Sequence, residues 1–253
     1  MSAPAVWSDA TGDPTCPLVV VVHGSMDRSA GMLRVARQLD DVAEVLRYDR
    51  RGYGRSMPHD GPFGMEQQVD DLVGLLDGRS AVLVGHSYGG NVALATAARH
   101  PALVRAVSVY ETPLSWEPWW PGTTAGANAL ATRGEPADAA EAFMRRLVGD
   151  ERWEGLPERT REQRRREGAA MVGELSDLRE HVPWLPEQIG VPVLAGYGSK
   201  GRPHHRRGME HVADTVAGAR AVQLDGCGHD APLSHPALYA ELLVLPLLSV
   251  LSG

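Results

Sequence analysis

Residues 81–90 read AVLVGHSYGG. Ala81–Val84 is a short apolar run of the kind that forms a strand buried on both faces, as a parallel sheet requires. Asn91–Arg99, which follows, is rich in alanine and predicts a helix. Between them Gly85-His86-Ser87-Tyr88-Gly89 is G-x-S-x-G in a strand–turn–helix setting, where a sharp turn lifts a serine hydroxyl to the sheet edge. Glycines at 85 and 89 remove Cβ atoms from that turn. The helix that follows points its positive end and unpaired N–H groups at the same spot. Ser87 is therefore the candidate nucleophile.

Outward from this turn the same pattern repeats. Residues 18–22 (LVVVV), 44–48 (EVLRY), 103–109 (LVRAVSV), 191–195 (VPVLA) and 219–224 (ARAVQL) are further candidate strands. Gly31–Leu39 and Met65–Leu76 carry apolar residues at helical spacing. Strand–helix alternation implies right-handed crossovers and a mostly parallel sheet. The alternation stops at Pro113 and resumes near Val191. The domain reading is thus a core of residues 1–112 and 191–253, interrupted by a helical insertion of residues 113–190. Five of the six tryptophans fall in the insertion, at Trp116, Trp119, Trp120, Trp153 and Trp184. They suggest a pocket for an apolar or aromatic group or, equally, internal packing. The charged run Arg161–Glu167 reads as a solvated helix face.

A serine nucleophile needs a base. His229, in LDGCGHDAPLSHP after the last strand, stands where a base at the same sheet edge belongs. His235 reads as the start of a terminal helix, and His86 as a packing residue that points away. Donors for a developing oxyanion are expected from the backbone N–H of Tyr88 and of Ser25, in His23-Gly24-Ser25-Met26 after the first long strand. Met26 is the second choice for that donor and is also placed in the substrate-binding set with Trp116, Trp119 and Trp120.

VVVVHGSMDRS, YDRRGYGRS (48–56), VGHSYGG and GCGHDAPLSHP, in this order and spacing, resemble the α/β-hydrolase family over nearly the whole chain. The resemblance implies an eight-stranded, mostly parallel sheet with a helical cap inserted after the sixth strand. Only about 17 residues precede Leu18, so the first hairpin should be short. A serine at the elbow fits the esterase, lipase, thioesterase, lactonase and C–C hydrolase branches rather than those carrying aspartate there.

One part of the family pattern is missing. The usual acid after the seventh strand is replaced by GYGSKGRPHH (196–205), with Lys200 in its place. Glu111, directly after the sixth strand, is the substitute, as in family branches whose acid has moved to this strand. Its 24-residue separation from Ser87 is one helix plus one strand. Asp225 and Asp230 are the alternatives. Lys200, His204 and His205 read as a surface patch and make no recognisable metal site.

Net charge is −7, which argues against a nucleic-acid partner and should mildly repel acidic ligands. Cys16 and Cys227 form no metal-ligand spacing and read as free thiols. Residues 1–17 show no signal-peptide pattern, and the apolar run Leu242–Leu251 is interrupted by Pro246 and too short to span a bilayer. The chain is therefore expected in the cytoplasm, with no stable membrane insertion; a homodimer is left open. The expected activity is cleavage of a carboxylic ester or related acyl bond of a small, apolar substrate, without metal or cofactor. Its rivals are acyl transfer from the same site and a ligand-binding protein on a degenerate scaffold.

Overall fold

Each apolar run becomes a strand in the computed structural model, which describes residues 6–251. The outermost residues of the expected core, 1–5 and 252–253, lie outside the described residues. The strands are β1 (Ser8–Thr11), β2 (Leu18–Val22), β3 (Glu44–Tyr48), β4 (Ala81–His86), β5 (Val104–Tyr110), β6 (Val193–Gly198) and β7 (Arg220–Leu224). Their order is β1-β3-β2-β4-β5-β6-β7. All pairings are parallel except β1 with β3. The sheet thus has seven strands among the described residues, where the family resemblance implied eight. Among the described residues before Leu18, one antiparallel edge strand stands where a short hairpin was expected.

The all-apolar strands bury alternate residues on opposite faces. Val19, Val21, Val82 and Val84 join Met32, Val35, Leu39, Tyr239 and Leu243 on one side. Val20, Val22, Leu83, Val107 and Val109 join Val69, Leu72, Leu76, Val92 and Met209 on the other. Period-two geometry on a doubly covered sheet produces these two layers. Each valine so buried contributes about 1.5–3 kcal/mol relative to exposure.

The helices are α1 (Leu33–Ala36), α2 (Met65–Leu76), α3 (Tyr88–Arg99), α4 (Ala125–Ala131), α5 (Pro136–Val148), α6 (Asp150–Glu154), α7 (Glu158–Arg166), α8 (Gly168–Glu180), α9 (Pro203–Thr215), α10 (Ala231–Ser234), α11 (Pro236–Leu243) and α12 (Leu245–Leu251). The helix expected over Gly31–Leu39 buries the predicted face, but only Leu33–Ala36 is α-helical. Its ends tighten into i→i+3 turns, with Gln38 N–H bonding Val35 and Leu39 N–H bonding Ala36 at 3.0 and 2.9 Å. No helix among the described residues is long and apolar enough to cross a membrane.

α4–α8 lie between β5 and β6 and have their own small core of Phe143, Met144, Trp153, Met171 and Leu175, joined by Met26 and Tyr53. The chain runs from β2 to β3 on one side of β2 and then to β4 on the other. The loops after β2 and β4 therefore part at a switch point, where open α/β sheets form crevices.

Candidate active site

Ser87 follows β4 with φ 53° and ψ −126°, a region that L-residues rarely occupy and that costs about 1–3 kcal/mol to hold. The surroundings impose it. A Cβ on Gly89 would lie 2.2 Å from the Val22 carbonyl oxygen, and one on Gly24 would lie 2.9 Å from the Ser87 Cβ. The loop after β2 thus presses directly on the turn. Ser87 N–H also donates to the Tyr110 carbonyl at 2.9 Å, tying the turn to the end of β5. Tyr88 opens α3, and the first N–H groups of a helix have no intrahelical acceptor.

The β4–β5 register pairs His86 with Tyr110, so Ser87 and Glu111 leave the sheet side by side. Glu111 is itself at φ 46° and fully buried. Its Oε2 accepts from His229 Nδ1 at 2.8 Å, and its Oε1 accepts from Gly198 N–H at 3.0 Å. Burial alone would raise its pKa, but the imidazoles of His205 and His229 outweigh burial and hold the carboxyl well below its usual range. With Nδ1 donating to Glu111, the lone pair of His229 is left on Nε2.

The loop that carries Lys200 lies against Glu111. A Cβ on Gly201 would lie 2.2 Å from Glu111 Oε1, so the chain can pass there only as glycine. Three consecutive carbonyls beside His229 are each held. Cys227 accepts from Lys200 N–H at 2.8 Å, Gly228 from Tyr110 Oη at 2.8 Å, and His229 from His86 Nε2 at 2.9 Å. His86 therefore does more than pack. Burial, followed by the neighbouring His229, lowers its pKa to about 3, so its neutral ring donates from Nε2. Asp225 instead accepts from Gln223, and Asp230 stands at the head of α10.

His205 is not on an open surface. Its ring stacks on His229 with centroids 4.8 Å apart, and its Nδ1 lies 2.7 Å from Glu111 Oε2, close but not aligned as a hydrogen bond. Glu111, His205 and His229 bring three potential ligand atoms within 4.8 Å of one another. Both nearest ring nitrogens lie against the same Glu111 oxygen, and His229 Nδ1 is the one hydrogen-bonded to it.

Ser87, Glu111 and His229 line one cavity of about 470 Å³, together with Ser25, Trp120, Phe143, Leu147, Leu175 and Arg179. Of the residues expected against substrate, Trp120 is on this wall. Met26, at φ 57°, is buried between Tyr53 and the insertion's core. Trp116 packs edge-on against Trp184 at 5.6 Å beside a smaller cavity, and Trp119 lies tilted against Trp120 and edge-on to His211.

Sequence reasoning missed a buried charge network that joins the insertion to this site. Glu174 of α8 pairs with Arg50 at 2.6 Å, both side chains fully buried, and accepts from Tyr53 Oη at 2.7 Å and Ser25 Oγ at 2.5 Å. Arg50 also donates to the carbonyls of His23 and Gly24 at 2.9 and 3.1 Å. Glu167 is fully buried, not solvated as the charged run suggested, because it accepts from Arg28, Arg164 and Gly54 N–H. Asp177 accepts from Met65 N–H at 2.8 Å. The signal was present in the spacing: Glu167, Glu174 and Asp177 recur at seven and three residues, one face of a helix.

A hydroxyl on a strained turn, an imidazole and a buried carboxylate on one cavity wall form a set of groups able to carry out acyl transfer. A sequence profile described as the alpha/beta hydrolase family matches residues 19–242. The chain is 28% identical to rhodomycin D methylesterase DnrP of Streptomyces peucetius, over 94% of this chain and 93% of that one. It is 29% identical to a 2-hydroxymuconate semialdehyde hydrolase of a Pseudomonas species, over 89% and 84%. Among solved structures, the enol-lactonase of Burkholderia xenovorans has the same fold, with a TM-score of 0.72 at 24% identity, covering 98% of this chain and 96% of that one.

Proposed function

The chain belongs to the α/β-hydrolase family and is an enzyme of that kind, and on that premise we propose that it cleaves a carboxylic ester, or a related acyl bond, of a small substrate through Ser87, His229 and Glu111. The observation that carries this reading is the 2.8 Å contact from His229 Nδ1 to the Glu111 carboxylate, on the wall of the cavity that also holds Ser87.

Ser87 Oγ attacks the acyl carbonyl as His229 Nε2 takes its proton. Glu111 holds the tautomer that leaves Nε2 free and stabilises the imidazolium as it forms. The oxyanion is held by the N–H groups of Tyr88 and Ser25. Glu174, through the Ser25 hydroxyl and Arg50, fixes the loop that supplies the second donor. His229 returns the proton to the departing alcohol, and water then releases the acyl group by the same path. The insertion 113–190 acts as a cap whose Trp120, Phe143 and Leu175 receive an apolar part of the substrate. The free thiols of Cys16 and Cys227 suit the cytoplasm.

The test is labelling by a fluorophosphonate probe together with hydrolysis of p-nitrophenyl esters. The protein should be labelled and active. Ser87→Ala should fold normally, lose the label and lose turnover by about three or more orders of magnitude. Undiminished labelling of Ser87→Ala would overturn the assignment.

A further inference from the structure

The cavity over Ser87 has a cationic wall that the net charge of −7 does not anticipate. Arg179 from α8, Arg146 from α5 and Arg202 beside α9 all line it. Glu111 is the carboxylate among the lining residues, and it is already engaged by His229, His205 and Gly198 N–H. Among the described residues, none of the three arginines pairs with a carboxylate. Their neighbours behave differently. Arg145, next to Arg146, holds Glu141, Asp150 and Glu154, while Arg165 holds Asp138 and Glu141.

Arg179 is the informative member because it is half-buried rather than at the rim. Its Nη1 donates to the Leu175 carbonyl at 2.9 Å, and its Nη2 lies against Gly126, where an added Cβ would be 3.1 Å away. Burial lowers its pKa, and no carboxylate offsets that desolvation. A guanidinium withdrawn from water without a counter-charge is unfavourable, and a planar carboxylate is the ligand its fork fits best. Leu175 lies beside it at Gly126, and the same cavity is lined by Phe143, Leu147, Ser87 and His229.

Resting on the hydrolase reading above, we propose that the substrate is an ester whose acyl part carries a free carboxylate at its far end, bound by Arg179 while Ser87 attacks the ester carbonyl. Arg146 and Arg202 draw the anion toward the opening. A field set by nearby arginines dominates over a distributed net charge that salt screens.

The experiment compares two p-nitrophenyl esters of equal length, the hemiester of suberic acid and the ester of its monoamide. The wild-type protein should favour the carboxylate ester by about tenfold or more in kcat/KM at low ionic strength, chiefly through KM, and the preference should shrink as salt is added. Arg179→Gln should bring the ratio close to unity, and Arg179→Lys should keep an intermediate ratio. Equal kcat/KM for the two esters in the wild-type protein, or an unchanged ratio in Arg179→Gln, would overturn the proposal. A failed hydrolase reading looks different, with neither ester turned over and no fluorophosphonate label. Calorimetric binding of suberate against its diamide to the wild-type protein then decides the subsite. Carboxylate-dependent binding weakened in Arg179→Gln upholds it, and its absence overturns it.

Discussion

Along β4 the side chains of Ala81–Val84 are buried among apolar neighbours, whereas α8 and the residue before it add to apolar contacts such as Leu178 three carboxylates that bond to the core, Glu167, Glu174 and Asp177. The two regions border one cavity but are secured by different physics. The sheet places Ser87 and Glu111 by register and by backbone bonds, which are insensitive to any one side chain's charge. The insertion is positioned by buried ion pairs, where loss of one partner leaves the other uncompensated. The core side should therefore answer to chemical substitutions with loss of rate, and the insertion side with loss of stability and fit.

The largest expected effect sharpens the core half of this contrast. Glu111→Gln keeps shape and removes the charge behind His229. It should lower kcat about 10²–10⁴-fold with little change in KM, measured on a p-nitrophenyl ester. A decrease confined to KM would mean that Glu111 only shapes the cavity. Next comes Glu174→Gln, which strands the buried Arg50. It should destabilise the protein by about 3–5 kcal/mol in denaturant unfolding while kcat drops far less than in Glu111→Gln. The double change Arg50→Met with Glu174→Leu should recover most of that stability. No recovery would mean that the network supports more than its own charges.

The third effect lies on the core side alone and is read through pH. The depressed pKa of His86 means that its folded form binds a proton later than its unfolded form as pH falls. The stability it contributes is complete above the unfolded histidine value of about 6.5 and is lost as pH falls toward 3, with a slope of up to about 1.4 kcal/mol per pH unit. Glu111, also depressed, contributes stability above the usual carboxylate range and loses it only at more acid pH. Chemical-denaturation midpoints should therefore begin to fall below about pH 6.5, and less steeply in His86→Gln. Equal slopes in both proteins would remove His86 from this account. The smallest expected effect is on fit. Trp120→Ala should raise KM for long or aromatic esters by about three- to tenfold, the loss of part of an aromatic side chain's burial. Trp116→Ala, off this cavity, should change stability rather than KM.

Much of the core was legible because its signals are local. LVVVV, AVLV and the elbow at Gly85–Gly89 each carry their meaning within a few residues, and strand alternation needs only period two. The site's outer parts were less legible because their partners are distant in the chain. His205 looked like a surface residue until α9 placed its ring on His229. Glu167 sat in a run of arginines and looked solvated until the loops at Arg28 and Gly54 closed over it. The tryptophans were evenly ambiguous between packing and pocket, and the structure divides them, with Trp120 on the cavity wall and Trp153 and Trp184 in buried clusters.

The sequence by itself determined the six parallel strands, the serine turn and the absence of an acid at Lys200, since backbone sterics and apolar periodicity act between near neighbours. Only the tertiary structure decided for Glu111 against Asp225 and Asp230 beside His229, added His205 and the Gly198 N–H to its contacts, and showed that arginines rather than acids face the cavity. Those contacts span about a hundred residues in sequence, His229 to Glu111 being 118 apart. No local propensity encodes them, because they exist only once the register of β4 and β5 and the docking of α8 bring distant charges within a few ångströms.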